Sequence, residues 1–178
     1  EDLKSIKARC MGDAGEILKR MGMATVIIPG GELYEAMKRG TIDAFEYSTL
    51  ASNWDMHFNE VAEYVYLSPV RAPCDPQVFF VNKDAWNELP DDLKLLVQTF
   101  VDRFTQAQQE YLVYESIQAL DKFKAYGNKV VKVPDDVNKA LAAEAAKFYE
   151  EKSASEPPIF GEIYNSMKAY GEAYESMK

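Results

Sequence analysis

An arginine within a short apolar stretch is the first residue of this chain whose type and place suggest specific chemistry. Arg9 stands between Ala8 and Cys10, in a stretch at residues 7–11 that is predicted to form a strand. Burying a guanidinium is costly unless an anion neutralises it, and its planar fork holds a carboxylate through two parallel hydrogen bonds. The sequence leaves three roles open for Arg9: binding of a carboxylate ligand, a structural salt bridge, or an exposed strand face.

A second group of candidate residues directly follows a later predicted strand. Glu46, Tyr47 and Ser48 come there, and the ligands of open parallel sheets bind beyond the carboxyl ends of the strands. We therefore expect these residues to share one edge of the sheet with Arg9 and Met11, where all five would line a ligand site. An ordinary half-buried aromatic is the alternative role for Tyr47.

A third candidate, Arg71, lies in a proline-containing loop at residues 68–76, where a solvated surface charge is the alternative. The single histidine, His57, has no second histidine or cysteine at metal-ligand spacing, so no metal or other cofactor is predicted. The sequence also carries no recognised nucleophile–base, nucleotide-binding or zinc motif. These features favour a binding protein over an enzyme. In the enzyme alternative, Glu46 and Tyr47 would act as acid/base groups.

The composition is that of an ordinary globular protein of 178 residues, with 47% hydrophobic and 28% charged residues. Twenty Lys and Arg against 29 Asp and Glu give a net charge of −9. This balance argues against a nucleic-acid binder, which normally carries a basic face. No apolar run approaches the roughly 20 residues of a membrane span. The two cysteines, too few for a disulfide scaffold, are predicted to be small hydrophobic residues.

The first third of the chain alternates strand-like and helix-like pieces. Strands are predicted at residues 7–11, 25–28 and 42–47, with helices between them at 13–21 and 32–39. Asp13, with Glu16 three residues later, has the spacing of a capping box. This β-α-β-α-β order predicts a mostly parallel sheet covered by helices. Further strands are predicted at residues 61–67, 77–82 and 129–133, and the second of these is apolar enough to be fully buried.

The second half of the chain is predicted to be helical. Apolar residues recur at steps of one, three or four between Leu93 and Leu120, which predicts one helix, roughly 50 Å long, that ends at Gly127. The apolar face of this helix must be covered by other layers of this chain or by a group outside the chain. A helix at residues 135–153 follows. The tail then carries a heptad-like seam of Ile163, Met167, Tyr170, Tyr174 and Met177. The seam would dock on the chain's own domain or on a partner chain.

Four stretches together resemble one protein family. They are residues 3–9, 21–22, 29–44 and 80–90, and they include GELYEAMKRGTIDA at 31–44 and FVNKDAWNELP at 80–90. These stretches resemble the C-terminal half of the solute-binding proteins of TRAP transporters, the DctP family, and most closely its 2-oxo-acid-binding subgroup. The resemblance runs from about Leu3 to the C-terminal helix.

The resemblance implies an α/β fold of the type II periplasmic-binding-protein class, in which two lobes close on a ligand. Residues 1–76 would form one β/α ligand-binding lobe. Residues 77–178 would supply a crossing strand and the helical portion that completes the other lobe, together with a C-terminal docking helix. The family's N-terminal lobe would be absent from this chain.

The resemblance also implies a function without catalysis. The family's members are periplasmic receptors that capture a small organic acid and deliver it to the TRAP membrane subunits for sodium-driven uptake. Arg9 takes the place of the arginine that clamps the carboxylate. Tyr47 takes the place of a residue that lines the ligand, and Arg71 falls in a loop that reaches the site.

Three features of the subgroup bear on metal binding, disulfide pairing and assembly. A carboxylate that holds sodium or another metal beside the ligand is replaced here by Ala72, and Asp75 is out of register, so Arg71 would pair directly with the ligand's charge. Cys10 and Cys74 would lie near the segments that cross between lobes, where they could form a disulfide. The subgroup's C-terminal helix can be exchanged between subunits, which implies a homodimer. A helical dimerisation module is the alternative function.

Overall fold

The elements of the chain are five short strands and seven α-helices in the residues that the computed structural model describes, 2–70 and 78–177. The strands are β1 (Lys7–Arg9), β2 (Ala24–Val26), β3 (Ala44–Phe45), β4 (Tyr64–Leu67) and β5 (Lys129–Lys132). The helices are α1 (Gly12–Arg20), α2 (Leu33–Lys38), α3 (Leu50–Asp55), α4 (Lys83–Glu88), α5 (Asp91–Tyr126), α6 (Asp135–Ser155) and α7 (Pro158–Glu175). Single 3₁₀ turns span Asp2–Ser5, Gly30–Glu32 and Phe58–Glu60.

The first sheet is parallel, with the strand order β2-β1-β3. The central strand β1 pairs Arg9 with Val26 on one side and with Phe45 on the other. The helices α1 and α2 lie in the connections between its strands, so the predicted β-α-β-α-β order and the α/β class are confirmed. The strand predicted at residues 42–47 is shorter and keeps only the two residues of β3, Ala44 and Phe45.

The capping box predicted at the start of α1 is wrong. The helix begins at Gly12, one residue before the predicted start at residue 13, so Met11 rather than Asp13 is the N-cap residue. Met11 makes no side-chain capping bond. Gly12 has a φ of +56°, a conformation that costs glycine little. Asp13 therefore lies inside the first turn, and its carboxylate accepts hydrogen bonds from Lys152 of α6 instead.

The apolar core of this lobe lies between α2, the sheet and the turn before β4. Its fully buried members are Leu33, Ile42 and Phe58, which come from three separate segments. Phe45 at the end of β3 meets Phe58 edge-on, with ring centroids 4.5 Å apart. Burying each large apolar side chain contributes about 1.5–3 kcal/mol. The core therefore fixes the carboxyl ends of the strands, where the predicted site lies.

A second, two-stranded sheet pairs β4 and β5 in parallel. The long helix α5 precedes β5 and reaches 36 residues, about 54 Å at 1.5 Å per residue. It ends at Gly127 in the left-handed conformation, as predicted. Its last turns pack on α3, where the ring of Phe123 meets that of Trp54 at 5.3 Å.

Most of the predicted apolar stripe of α5 is uncovered. Within the helix only Ala119 and Phe123 are buried. The exposed members of the stripe are Leu93, Leu96, Val97, Phe100, Phe104, Tyr111, Tyr114 and Ile117. The periodicity thus predicts the helix correctly, while the cover that the stripe needs is absent from residues 2–70 and 78–177.

The buried strand predicted at residues 77–82 is wrong for the part that is described. Residue 77 lies outside the described residues, and residues 78–82 form no strand and are exposed, Phe80 to 92%. A strand needs a neighbouring edge to bond with. The described parts of the chain bring no such edge beside this segment.

The C-terminal hairpin of helices places the predicted seam outward. α7 packs on α6 through its other face, where Tyr164 stacks on Tyr149 at 5.9 Å and Lys168 reaches Glu150 at 3.4 Å. The seam residues Ile163, Met167, Tyr170, Tyr174 and Met177 are all exposed. The helix therefore docks on its own chain, but the seam is not the docking face.

None of the described helices combines the length and the apolar character that a membrane span requires.

Candidate functional site

The carboxyl edge of the first sheet holds a buried arginine. Arg9 is the last residue of β1 and is only 3% exposed. Its Nε donates a hydrogen bond to the carbonyl of Ile28, and its Nη1 donates one to the carbonyl of Glu46, both at 2.9 Å. Two neighbouring segments therefore fix the guanidinium through backbone oxygens, which do not neutralise its charge.

The nearest carboxylate is held slightly away from the guanidinium. Glu46 Oε1 lies 3.6 Å from Arg9 Nη1, which is an ion pair but too long for a hydrogen bond. The same oxygen accepts a hydrogen bond from the backbone N–H of Met11 at 3.2 Å. Arg9 has five N–H donors. Since two of them bond to carbonyls, three have no hydrogen-bond partner in the described part of the chain.

Tyr47 forms one wall beside the arginine. Its ring lies 5.8 Å from the Arg9 guanidinium carbon and meets Phe58 edge-on at 5.6 Å. The ring rests directly on Gly30, where an added Cβ would come within 2.8 Å of the ring carbon Cε2. Tyr47 is thus positioned by an aromatic neighbour on one side and by the missing side chain of a glycine on the other.

The remaining predicted residues differ in how closely they join this group. Met11 follows the strand and is half exposed at the same edge. Ser48 is exposed and strained, with a φ of +22°, and its hydroxyl donates to Ser52 of α3 at 3.4 Å rather than toward Arg9. Arg71 lies outside the described residues. The structure therefore brings together Arg9, Met11, Glu46 and Tyr47, while a ligand role for Ser48 has little geometric support.

Comparison with known proteins identifies the family. The model of the bacterial extracellular solute-binding proteins, family 7 (DctP), matches residues 1–156. The chain belongs to this family. The resemblance noted in the sequence is thereby confirmed, as is the mixed α/β fold of a solute-binding lobe with long helices.

Three relatives of this solute-binding chain are informative. A monocarboxylate 2-oxoacid-binding periplasmic protein of Nostoc sp. is 30% identical over 173 residues, 95% of this chain and 46% of the relative. A TRAP solute-binding protein of Colwellia psychrerythraea with bound calcium and pyruvate is 28% identical, with a TM-score of 0.85 over 99% of this chain and 54% of that one. A TRAP solute-binding protein of Bordetella bronchiseptica is a dimer with copurified calcium and picolinate in one site. It is 27% identical, with a TM-score of 0.83 over 99% of this chain and 52% of that one. The chain thus spans about half the length of these relatives.

Sequence reasoning missed two of the groups that build the edge around Arg9. The carbonyl of Ile28 holds Arg9, and a backbone oxygen gives no signal in the residue types. Gly30 seats Tyr47, although the sequence shows it only as part of a strand-ending Pro29-Gly30-Gly31. The glycine itself was the available signal, because close approach of another group to the backbone is a common reason for glycine.

A metal site needs several convergent ligands, and the described residues do not assemble one. No group of three His, Cys, Asp or Glu side chains converges within residues 2–70 and 78–177. His57 is 72% exposed in its side chain and faces only Glu60, at 3.8 Å. Ala72, Cys74 and Asp75 lie outside the described residues, so the predicted disulfide of Cys10 with Cys74 stays a prediction, with Cys10 buried.

Proposed function

We propose that this chain is the carboxylate-clamping part of a periplasmic TRAP solute-binding protein that captures a small organic acid. The observation that carries the proposal is the Arg9 guanidinium, buried at the carboxyl edge of a parallel sheet with donors that no group in residues 2–70 and 78–177 uses. The relatives support the ligand class, because one is named for 2-oxo acids and another holds pyruvate.

Electrostatics favours an anion over a neutral ligand at this place. The hydrogen bonds that Arg9 makes within the described ranges go to carbonyls, and its ion pair with Glu46 is long at 3.6 Å. A bound carboxylate would add short, charge-assisted hydrogen bonds to the remaining donors, each contributing about 1.5–3 kcal/mol. The Met11 amide already holds Glu46 Oε1, which keeps that carboxylate from turning fully onto Arg9.

The small opening favours a compact ligand. Only 4% of the Arg9 side chain is exposed, and the Tyr47 ring covers one side of it. A small planar carboxylate can reach the guanidinium edge through such an opening, whereas a bulky acid requires the ring to move. Arg71 is proposed to add a second positive charge from the neighbouring loop, without a metal ion.

The whole protein is proposed to close a second lobe over this edge. The relatives are about twice as long as this chain, and closure of two lobes around a ligand excludes water from the site. The loaded receptor would deliver its acid to TRAP membrane subunits for sodium-driven uptake. It carries out no catalytic step in this proposal, and Glu46 positions the arginine rather than moving a proton.

Substitution of Arg9 tests the proposal. Pyruvate affinity is measured by calorimetry in the intact protein, with Arg9→Ala, Arg9→Lys and the surface control Arg39→Ala. Arg39, just after α2, is exposed and forms an ion pair with Glu35 of that helix at 3.4 Å. Truncating one partner of a buried charge pair costs about 2–5 kcal/mol, so Arg9→Ala should weaken binding by about 30-fold or more. Arg9→Lys keeps the charge but loses the fork and should cost about tenfold.

The controls separate loss of binding from loss of fold. Circular dichroism of each variant checks that the protein is folded, and Arg39→Ala should bind within about twofold of the wild type. Unchanged affinity in folded Arg9→Ala removes Arg9 from the site. Turnover of pyruvate or of a hydroxy acid by the wild type would support the enzyme alternative instead.

A second candidate function, dimerisation through α7, rests on the outward seam. Its five apolar residues are exposed, and the Bordetella relative is a dimer. Met167→Glu with Tyr170→Glu should halve the mass measured by light scattering, since buried charges oppose the interface. Asn165→Glu, on the same helix but off the seam, should leave the mass unchanged. A monomeric wild type would end this proposal.

A further inference from the structure

One carboxylate joins the ligand edge to the C-terminal helices. Asp13, in the first turn of α1, accepts hydrogen bonds from Lys152 Nζ at 2.7 and 2.9 Å, one to each of its oxygens. Tyr149, one turn earlier on α6, faces the same carboxylate. Burial, reinforced by the charge of Asp13, raises the pKa of Tyr149. The contact of α6 with the start of α1 is therefore polar and centred on one residue.

Lys152 and Tyr149, the two α6 residues that meet Asp13, also contact α7. The Lys152 ammonium lies 5.2 Å from the ring of Phe160 in the first turn of α7. Tyr149 stacks on Tyr164 of α7 at 5.9 Å. A shift of α7 on α6 therefore changes the surroundings of the groups that hold Asp13.

Asp13 is also close in sequence to the ligand edge. Met11, two residues before it, donates its N–H to Glu46 beside Arg9. The start of α1 has no side-chain cap, and Gly12 has open space around its Cα. Among the described residues, the bonds to Lys152 are thus the strongest side-chain restraint on this turn.

The joint between α1 and α6 combines charges around a groove of about 460 Å³ with the buried ring of Phe148. Arg20, at the far end of α1, donates to Glu151 at 2.8 Å, and its guanidinium lies 4.9 Å from the Phe148 ring. The Lys152 ammonium lies 5.6 Å from the same ring. Because closely packed groups are not easily compressed, this joint can transmit movement in either direction.

We propose that Asp13 is a positioning residue that couples the placement of α6 and α7 to the ligand edge at Arg9 and Met11. The inference rests on the proposed function, in that the edge it regulates is the carboxylate site. Whatever engages the C-terminal helices would thereby tune the affinity of the site. By reciprocity, a bound ligand would favour one placement of α7.

The test uses the intact protein and two readouts. The first is the amide chemical shift of Met11 without ligand, and the second is the pyruvate affinity. Lys152→Met keeps the apolar stem and removes the charge, and it should move the Met11 amide and weaken binding by about fivefold. Asp13→Asn should act in the same way, and the double variant no more strongly than either single one. Lys152→Arg keeps a cation and should restore both readouts.

The matched control is Lys129→Met, which breaks the ion pair to Glu63 beside β4 and leaves α1, α6 and α7 unchanged. Its Met11 amide and affinity should stay at wild-type values. An unmoved Met11 amide in Lys152→Met, or an equal shift in Lys129→Met, overturns the coupling. If the wild type binds no pyruvate, the proposed function fails, while the ligand-free amide shift still decides the coupling.

Discussion

The two ends of α5 differ sharply in how far they are buried. Near its C-terminus, Phe123 is 2% exposed and meets Trp54, and Asn128 just beyond bonds to the carbonyls of Asn59 and Ala62 at 3.0 and 2.7 Å. In its first half, Phe100 is 59% exposed, and its ring stacks on that of Phe104 of the same uncovered face, 5.7 Å away. One helix is thus anchored at one end and bare at the other.

The difference shows that an apolar stripe specifies a helix without specifying its cover. The periodicity is the same along α5, because it depends only on the spacing of residues. Burial depends on what packs opposite, and only the last turns meet the lobe that holds Arg9. The first half of α5, with the exposed segment at residues 78–82, marks the surface on which a second lobe of the whole protein would lie.

The largest predicted effect contrasts two phenylalanines of this helix. In the 178-residue chain, Phe123→Ala should destabilise the fold by about 3–5 kcal/mol, because it opens a cavity against Trp54. Phe100→Ala should change stability by less than about 0.5 kcal/mol, since its ring is largely in water already. Urea unfolding of both variants measures the two values. A cost for Phe100→Ala near that of Phe123→Ala would mean that the first half of the helix is covered in solution.

Much of the fold follows from local patterns in the sequence. The β-α-β-α-β order, the parallel sheet, the long helix and its end at Gly127 are all predicted, because periodicity and glycine conformation act over a few residues. The strand predicted at residues 77–82 is wrong over the described residues 78–82 for the same reason. Strand propensity is local, whereas a strand forms only beside another edge.

The site is predictable to the extent that it follows from strand ends. Arg9, Met11, Glu46 and Tyr47 come together because parallel strands end at one edge. The details that make Arg9 a candidate ligand group, its carbonyl partners and the 3.6 Å distance to Glu46, depend on backbone geometry that residue types do not encode. The role of Asp13 was missed because its partner, Lys152, lies 139 residues away.

A second prediction tests how closely the Tyr47 ring is packed in the lobe that contains Arg9, in contrast to the exposed first half of α5. Gly30→Ala should push the Tyr47 ring away, because the new methyl group would lie 2.8 Å from its Cε2. We expect a loss of about 1–3 kcal/mol in stability, as overpacking usually costs, together with weaker pyruvate binding. Gly31→Ala is the control, since no atom lies within 4 Å of an added Cβ there. Equal effects of the two substitutions would show that the Tyr47 ring is not seated on Gly30.

The smallest predicted effect concerns the ion pair that joins the two regions. The hydrogen bond that Lys152 donates to the Asp13 carboxylate raises the pKa of Lys152 above its ordinary value of 10.5. A lysine whose pKa is raised on folding stabilises the fold fully below that ordinary value, and the contribution is lost as pH rises through the folded-state pKa. The stability gap between wild type and Lys152→Met should therefore be constant near about pH 9 and shrink by about pH 11.

Lys129 provides the comparison for this titration. Its bond to Glu63 raises its pKa in the same way, but its side chain is 56% exposed against 25% for Lys152. Because water screens an exposed pair more strongly, the gap for Lys129→Met should be smaller at every pH. A larger gap for Lys129→Met would show that the joint at Asp13 is no better shielded than an ordinary surface pair. The ion pair between Asp13 and Lys152 would then contribute too little to hold α6 and α7 against the lobe that contains Arg9.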